Sequence, residues 1–266
     1  MAITFDEAVR PVLEAMPPKL RGVIYLYLES WGKPKEEVLK DDEKLEKLGK
    51  EASIDKMINR MEVAFTDGFG IVDWITGKSG NYGVCLDMLT KDVLPQAFNV
   101  SKPKFKYSED TWEGILEREE WIRMRFIEHF WKGLSEEDKK MLVEALKDEL
   151  KEAGINTDKV LKAISSGQMS LTVLRTILGF KFHIFIAKIA NYLAKIIIGR
   201  GLSFGANALL QKIAASIFGG PIGWALFALQ LTSMLLPRDW ETLTPVVGLI
   251  ALTRPELESQ NNSNHE

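Results

Sequence analysis

Apolar residues recur at helical spacing along almost the whole chain, and no convincing run of strict alternation interrupts them. Phe5, Val9, Val12, Leu13 and Met16 fall on one helical face before Pro17-Pro18, and Leu20, Val23, Ile24, Tyr27 and Leu28 repeat the pattern before Gly32-Lys33-Pro34. Two short amphipathic helices are predicted. Residues 35–50 are densely charged around Val38, Leu39, Leu45 and Leu48, the pattern of a solvated helix with a narrow buried stripe. Residues 54–72 predict another helix, stopped near Gly68 and Gly70, and a glycine-punctuated loop leads into a helix over 82–94.

Residues 111–131 alternate large apolar side chains (Trp112, Ile115, Trp121, Ile122, Phe126, Phe130, Trp131) with Glu and Arg, which predicts a long amphipathic helix whose aromatics anchor a core. Ser135 followed by Glu136-Glu137-Asp138 is a helix start, and that helix is expected to reach about Ala153 before Gly154. Thr157-Asp158 opens a further helix. The chain therefore reads as an all-α, multi-helix bundle.

The C-terminal third departs from this amphipathic habit. Residues 170–198 predict one helix long enough to cross a membrane, apolar on most of its circumference, with Lys181, Lys188 and Lys195 repeating every seven residues. A heptad step drifts only about 20° on an α-helix, so these lysines form a narrow stripe. Residues 202–236 read as a hydrophobic helical hairpin turned at Gly219-Gly220-Pro221, with Gly223 permitting close approach and Trp224 at the start of the second arm. Its arms, roughly 22 to 25 Å at about 1.5 Å per residue, fall short of two conventional spans. Exposing on the order of 1,000 Å² of apolar hairpin to water would forfeit roughly 25 kcal/mol, more than the about 5–15 kcal/mol that holds a domain together. The hairpin needs cover from the chain's own helices, a partner or lipid.

Charge sharpens the picture. The net charge of −3 over 266 residues hides a segregation: no Asp or Glu lies between Asp158 and Asp239, while Lys159, Lys162, Arg175, Lys181, Lys188, Lys195, Arg200, Lys212 and Arg238 do. Composition divides the chain into an acidic helical region (1–110), an amphipathic helical pair (111–158), a basic hydrophobic region with the hairpin (159–257) and a polar tail (258–266) expected to be disordered. Such asymmetry points to partners at an anionic surface. One cysteine, Cys85, and the start Met1-Ala2-Ile3-Thr4-Phe5-Asp6, which carries no signal-peptide pattern, predict a cytoplasmic location, peripheral to or inserted in the inner membrane. The moderate charge balance argues against a general nucleic-acid binder.

Little in the chain predicts chemistry. His129, His183 and His265 are scattered, and no zinc, paired-cysteine or nucleophile-elbow motif occurs. Gly77-Lys78-Ser79 lacks the upstream glycine of a phosphate loop, and Gly199-Arg200-Gly201 misses the dinucleotide fingerprint. Cys85, between Val84 and Leu86, fits an inert buried thiol. The expectation is a non-enzymatic protein without cofactor or metal.

The segments GRGLSFGANALL from Gly199, GGPIGWAL from Gly219 and TPVVGLIALTR from Thr244 resemble the C-terminal signature of the YaaW-like bacterial proteins, often labelled ubiquinol-cytochrome c chaperone-like. Gly179-Phe180, AKIAN from Ala187, GLSEEDKKMLVEAL and GNYGVCLDMLTKDVL are similar to family segments in the same order, so the resemblance covers about residues 65–254. It departs at Leu236-Pro237-Arg238-Asp239-Trp240-Glu241 and over the first hundred residues. It implies a helical, non-catalytic assembly factor near membranes and supplies no catalytic residues.

The reading of the sequence is a membrane-associating protein of chaperone or assembly type. Lys181, Lys188, Lys195, Arg200, Lys212 and Trp224 are its candidate contacts with a membrane surface or membrane protein, and Gly219, Gly220, Pro221 and Gly223 its hairpin turn. A latent pore-forming or membrane-disrupting effector and a fully soluble helical scaffold are the alternatives. A homo-oligomer is compatible with each.

Overall fold

The computed structural model describes residues 2–31, 35–39, 41–67, 81–167, 170–198, 240 and 242–263, the side chains of Glu36, Asp67 and 260–263 excepted. The fold is all-α; among the described residues there is no strand, only an isolated bridge between Thr4 and Asn81. The helices are α1 (Phe5–Ala15), α2 (Pro18–Glu29), α3 (Glu36–Leu39), α4 (Asp42–Glu51), α5 (Ile54–Asp67), α6 (Tyr82–Met88), α7 (Leu94–Phe98), α8 (Trp112–Gly133), α9 (Glu136–Ala145), α10 (Lys147–Glu152), α11 (Thr157–Ser165), α12 (Leu171–Leu178), α13 (Phe182–Ile197) and α14 (Leu243–Ser263). The hairpin predicted over 202–236 lies outside the described residues.

The chain divides into two compact units, one from Met1–Ile122 with Leu229–Glu266, the other from Arg123–Ala228. The division falls within α8 and places α14 with the N-terminal helices.

In the first unit, α1 opens on a reciprocal capping box: Glu7 N–H donates to Thr4 Oγ1 at 3.1 Å while Thr4 N–H donates to Glu7 Oε2 at 2.9 Å. Its predicted face, Phe5, Val9, Val12 and Leu13, is buried. The charged stretch predicted as one helix is two, because Asp41 caps a new start by accepting from Lys44 N–H at 3.0 Å. Between α6 and α7 the backbone widens into a π-helical turn over Leu89–Val93. Pro95 follows it, and a residue with no N–H and a ring that crowds the preceding turn is well placed after such a widening. Helix α14 packs against α1, α2 and α5, and every residue from 243 to 254 is buried, so it is a central helix with no solvated face over that length. Phe5 sits 5.7 Å from Phe65 and 5.3 Å from Tyr82, and Phe65 sits 6.2 Å from Trp240, an aromatic cluster in this core. Helix α14 also runs to Ser263, past Glu258, where composition predicted disorder.

In the second unit, the later turns of α8 supply Phe126, Ile127, Phe130 and Trp131 to a core shared with α9 to α13. Trp131 stacks edge-on to Phe185 of α13 at 5.3 Å. Two predicted continuous helices are broken here. Residues 135–153 divide at Leu146, whose φ −96°, ψ 6° leaves the helical region and ends α9 before α10 begins. Residues 170–198 divide at Gly179, whose φ +55°, ψ −130° is open to glycine and strained for any other residue. A 3-10 turn over Gly179–Lys181 then leads into α13. Neither half has the length predicted for the whole, and among the described residues no helix is long and apolar enough to cross a membrane.

Candidate functional site

The second unit carries the described part of the predicted cationic site. Helix α13 buries most of its circumference, including Phe185, Ile186, Ile189, Tyr192, Leu193, Ile196 and Ile197. Its least buried strip is His183, Ile184, Ala187, Lys188, Asn191 and Lys195, positions that share one face at helical spacing. Lys188 and Lys195 therefore fall together at the solvent boundary, half-buried by their stems, and neither makes an ion pair among the described residues.

Lys181 has a different task. Helix α10 ends in a Schellman turn, with Ile155 N–H donating to Leu150 O and Gly154 N–H to Lys151 O, both at 2.8 Å. Lys181 Nζ donates to Gly154 O at 2.6 Å, placing a cation at the negative end of that helix. Because the break at Gly179 puts Lys181 in the turn before α13, the three-lysine stripe reduces to two residues on α13 and one helix cap. Arg200, Lys212, Trp224, Gly219, Gly220, Pro221 and Gly223 lie outside the described residues.

The α12–α13 elbow adds two residues that periodicity assigned to the interior of a continuous helix. Phe180 is 76% exposed and Ile177 is 37% exposed, whereas their neighbours Leu178 and Phe182 are buried. Arg175 reaches across the elbow, its guanidinium 4.8 Å from the Phe182 ring centroid and 2.6 Å from Glu128, a carboxylate that Arg125 also engages at 2.5 Å. Glu128 thus ties α12 to α8 through Arg175 while also engaging Arg125 on its own helix.

The first unit holds a second polar constellation, missed by the sequence reading. Glu119 on α8 is buried, and both its oxygens are engaged: Arg254 of α14 donates from Nε to Oε2 at 2.6 Å and from Nη2 to Oε1 at 2.9 Å, and Tyr82 Oη donates to Oε1 at 2.8 Å. Arg254 Nη2 also reaches Ala8 O at 2.9 Å. Burial opposes the Arg254 charge, but Glu119 overcomes it and the guanidinium pKa is raised; burial, then Glu119, pushes the Tyr82 hydroxyl well above its ordinary value. One residue earlier on α8, buried Arg118 donates to Asp87 Oδ1 from Nε and Nη2 at 2.9 and 2.7 Å, to Gly114 O at 2.9 Å and to Tyr107 O at 3.1 Å, with its guanidinium 4.4 Å from the Phe105 ring centroid. These groups spend their hydrogen bonds on one another and on backbone carbonyls, which makes them clamps between helices, not reactive groups.

Cys85 is fully buried, and burial raises its thiol pKa well above the usual value. The folded chain is expected to resist a thiol-specific maleimide at neutral pH and to react stoichiometrically once unfolded in guanidinium; rapid native labelling would show that the site opens. His129 is half-buried, and burial, then Lys132, lowers its pKa. Among the described residues, no group of three or more His, Cys, Asp or Glu side chains is arranged to hold a metal ion.

No family model matches the chain, and no solved structure matches it. The chain is similar to a UPF0174 protein of Helicobacter pylori (strain J99), 24% identical over 175 residues, covering 65% of this chain and 64% of the relative, just under two thirds of the relative's length.

Proposed function

We propose that this is a non-enzymatic, helical protein of chaperone or assembly type that associates with an anionic membrane surface or a membrane protein through its acid-free C-terminal third. The observation that carries the reading is the outer strip of α13, where Lys188 and Lys195 stand without an ion pair among the described residues, in a segment with no acidic residue from 159 to 238. Basic side chains held at the boundary of a buried apolar helix are available to anionic phosphates, and the same segment carries the Phe180 elbow. The buried clamp at Glu119 belongs to the scaffold.

Flotation of the full chain with phosphatidylglycerol vesicles tests it. Each basic residue near an anionic leaflet contributes about 1 kcal/mol, so K188E/K195E is expected to weaken low-salt partitioning by at least about tenfold. Lys181 is left unchanged because its substitution would also remove a helix cap. A wild-type chain that stays at the bottom of the gradient would favour the soluble scaffold, and release of a trapped dye on binding would favour the membrane-disrupting effector.

A further inference from the structure

We propose that the α12–α13 elbow, with Phe180 and Ile177 at its tip, is the insertion point of this protein into the interfacial region of an anionic phospholipid bilayer. The proposal rests on the membrane-engaging reading above and names the residues that would make the apolar contact.

The geometry builds this tip at a cost. Gly179 holds φ +55°, and a Cβ added there would meet nothing within 4 Å, so the glycine serves the backbone turn and relieves no crowding. Leu178 and Phe182, buried on either side, fix the turn, and the exposed Phe180 projects from it. An apolar ring held in water by this turn is poorly explained by packing among the described residues.

The surroundings select the occupant. Arg175 and Lys181 flank the tip and the nearby carboxylate of Glu128 is paired with both Arg125 and Arg175, while α11 exposes Lys159 and Lys162 with Asp158, and Glu152 is exposed at the end of α10 that Lys181 caps. A second copy of the chain docking by this tip about a two-fold axis would bring Arg175 and Lys181 of both copies together, an arrangement disfavoured by like-charge repulsion. One exposed ring and one part-exposed isoleucine make a small apolar patch beside the about 800 Å² per partner of a stable protein interface. A small apolar wedge flanked by Arg175 and Lys181, in a segment with no acidic residue from 159 to 238, matches the boundary between headgroups and acyl chains, where apolar burial and attraction to lipid phosphate add.

The test is partitioning of the full chain onto vesicles of phosphatidylcholine with and without phosphatidylglycerol, for wild type, F180S and F180L. Burying one large apolar side chain corresponds to roughly tenfold or more in partitioning. F180S is expected to lose about tenfold on anionic vesicles with its Tm unchanged, F180L to retain most binding, and all three to bind weakly without phosphatidylglycerol. F180S binding as tightly as a wild type that does bind would overturn the insertion point and leave the electrostatic reading standing. A wild type that ignores anionic vesicles would overturn both. Conversion of the lipid-free protein from oligomer to monomer by F180S would identify a second copy as the occupant and overturn the lipid assignment.

Discussion

Substituting Arg254 by Met in the full chain is expected to remove about 3–5 kcal/mol of unfolding free energy, the cost of leaving a buried charge without its partner. The side chains of Arg254 and Glu119 are 2% and 4% exposed, so water cannot replace the guanidinium at a carboxylate that it holds through two bonds. Against a typical domain stability of about 5–15 kcal/mol, this is enough to threaten the first unit as a whole. The triple variant E119L/R254M/Y82F removes the charges together with the hydroxyl that would otherwise lose its acceptor, and apolar replacement of a complete buried pair is often neutral or stabilising. It is therefore expected to be more stable than R254M alone. Urea unfolding of the full chain measures both; a loss below about 1 kcal/mol in R254M would mean that Glu119 is solvated or re-paired and that the clamp does not hold α14.

That clamp also shows where reading a sequence stops. Glu119 and Arg254 are 135 residues apart, and nothing local in either segment announces the other. A single arginine closing the apolar run before Pro255 was the available signal, and it reads equally well as the polar end of a surface helix. Local signals fared better where periodicity and caps agreed: Phe5, Val9, Val12 and Leu13 are buried as their spacing requires, Ser135 caps α9 by accepting from Asp138 N–H, and α6 begins at Tyr82 behind the Asn81 cap. The breaks were less legible for two different reasons. Leu146 carries no breaker chemistry; it is fully buried where α9 packs on α11 and α10 packs on α11 and α13, so its departure from helix is set by tertiary packing that no local signal announces. Gly179 does carry it, but an isolated glycine is tolerated within a helix, and the apolar residues on both sides continue the helical pattern.

The same break explains the mixed legibility of the candidate site. Lys188 and Lys195 share a face because a seven-residue spacing survives within α13, whereas Lys181 lies across the turn and caps another helix. Phe180, the most exposed of the large apolar side chains described, was invisible because a phenylalanine inside an apolar run looks like core. Only the backbone angle at Gly179 turns it outward.

Replacing Gly49 by Ala is expected to destabilise the protein by about 3 kcal/mol, the upper part of the range for overpacking, although glycine to alanine inside a helix ordinarily gains about 0.5–1 kcal/mol. The sign reverses because α2 and α4 meet backbone to backbone. A Cβ on Gly49 would lie 1.6 Å from Pro18 O, and one on Gly22 would lie 2.0 Å from Leu45 O. Neither obstacle is a side chain that can change rotamer, so the helices must separate. Separation is costly for α4 because its sequence, DEKLEKLGKE, offers only Leu45 and Gly49 as buried positions, and close approach substitutes for an apolar face. G22A meets the same interface from the other side. With the two helices already forced apart by one methyl, the double variant should cost less than the sum of the singles. Thermal and urea unfolding of G22A, G49A and the double variant decide it: stabilisation by either single change would mean that the two backbones are not in contact, while strict additivity would mean that the glycines act at separate places.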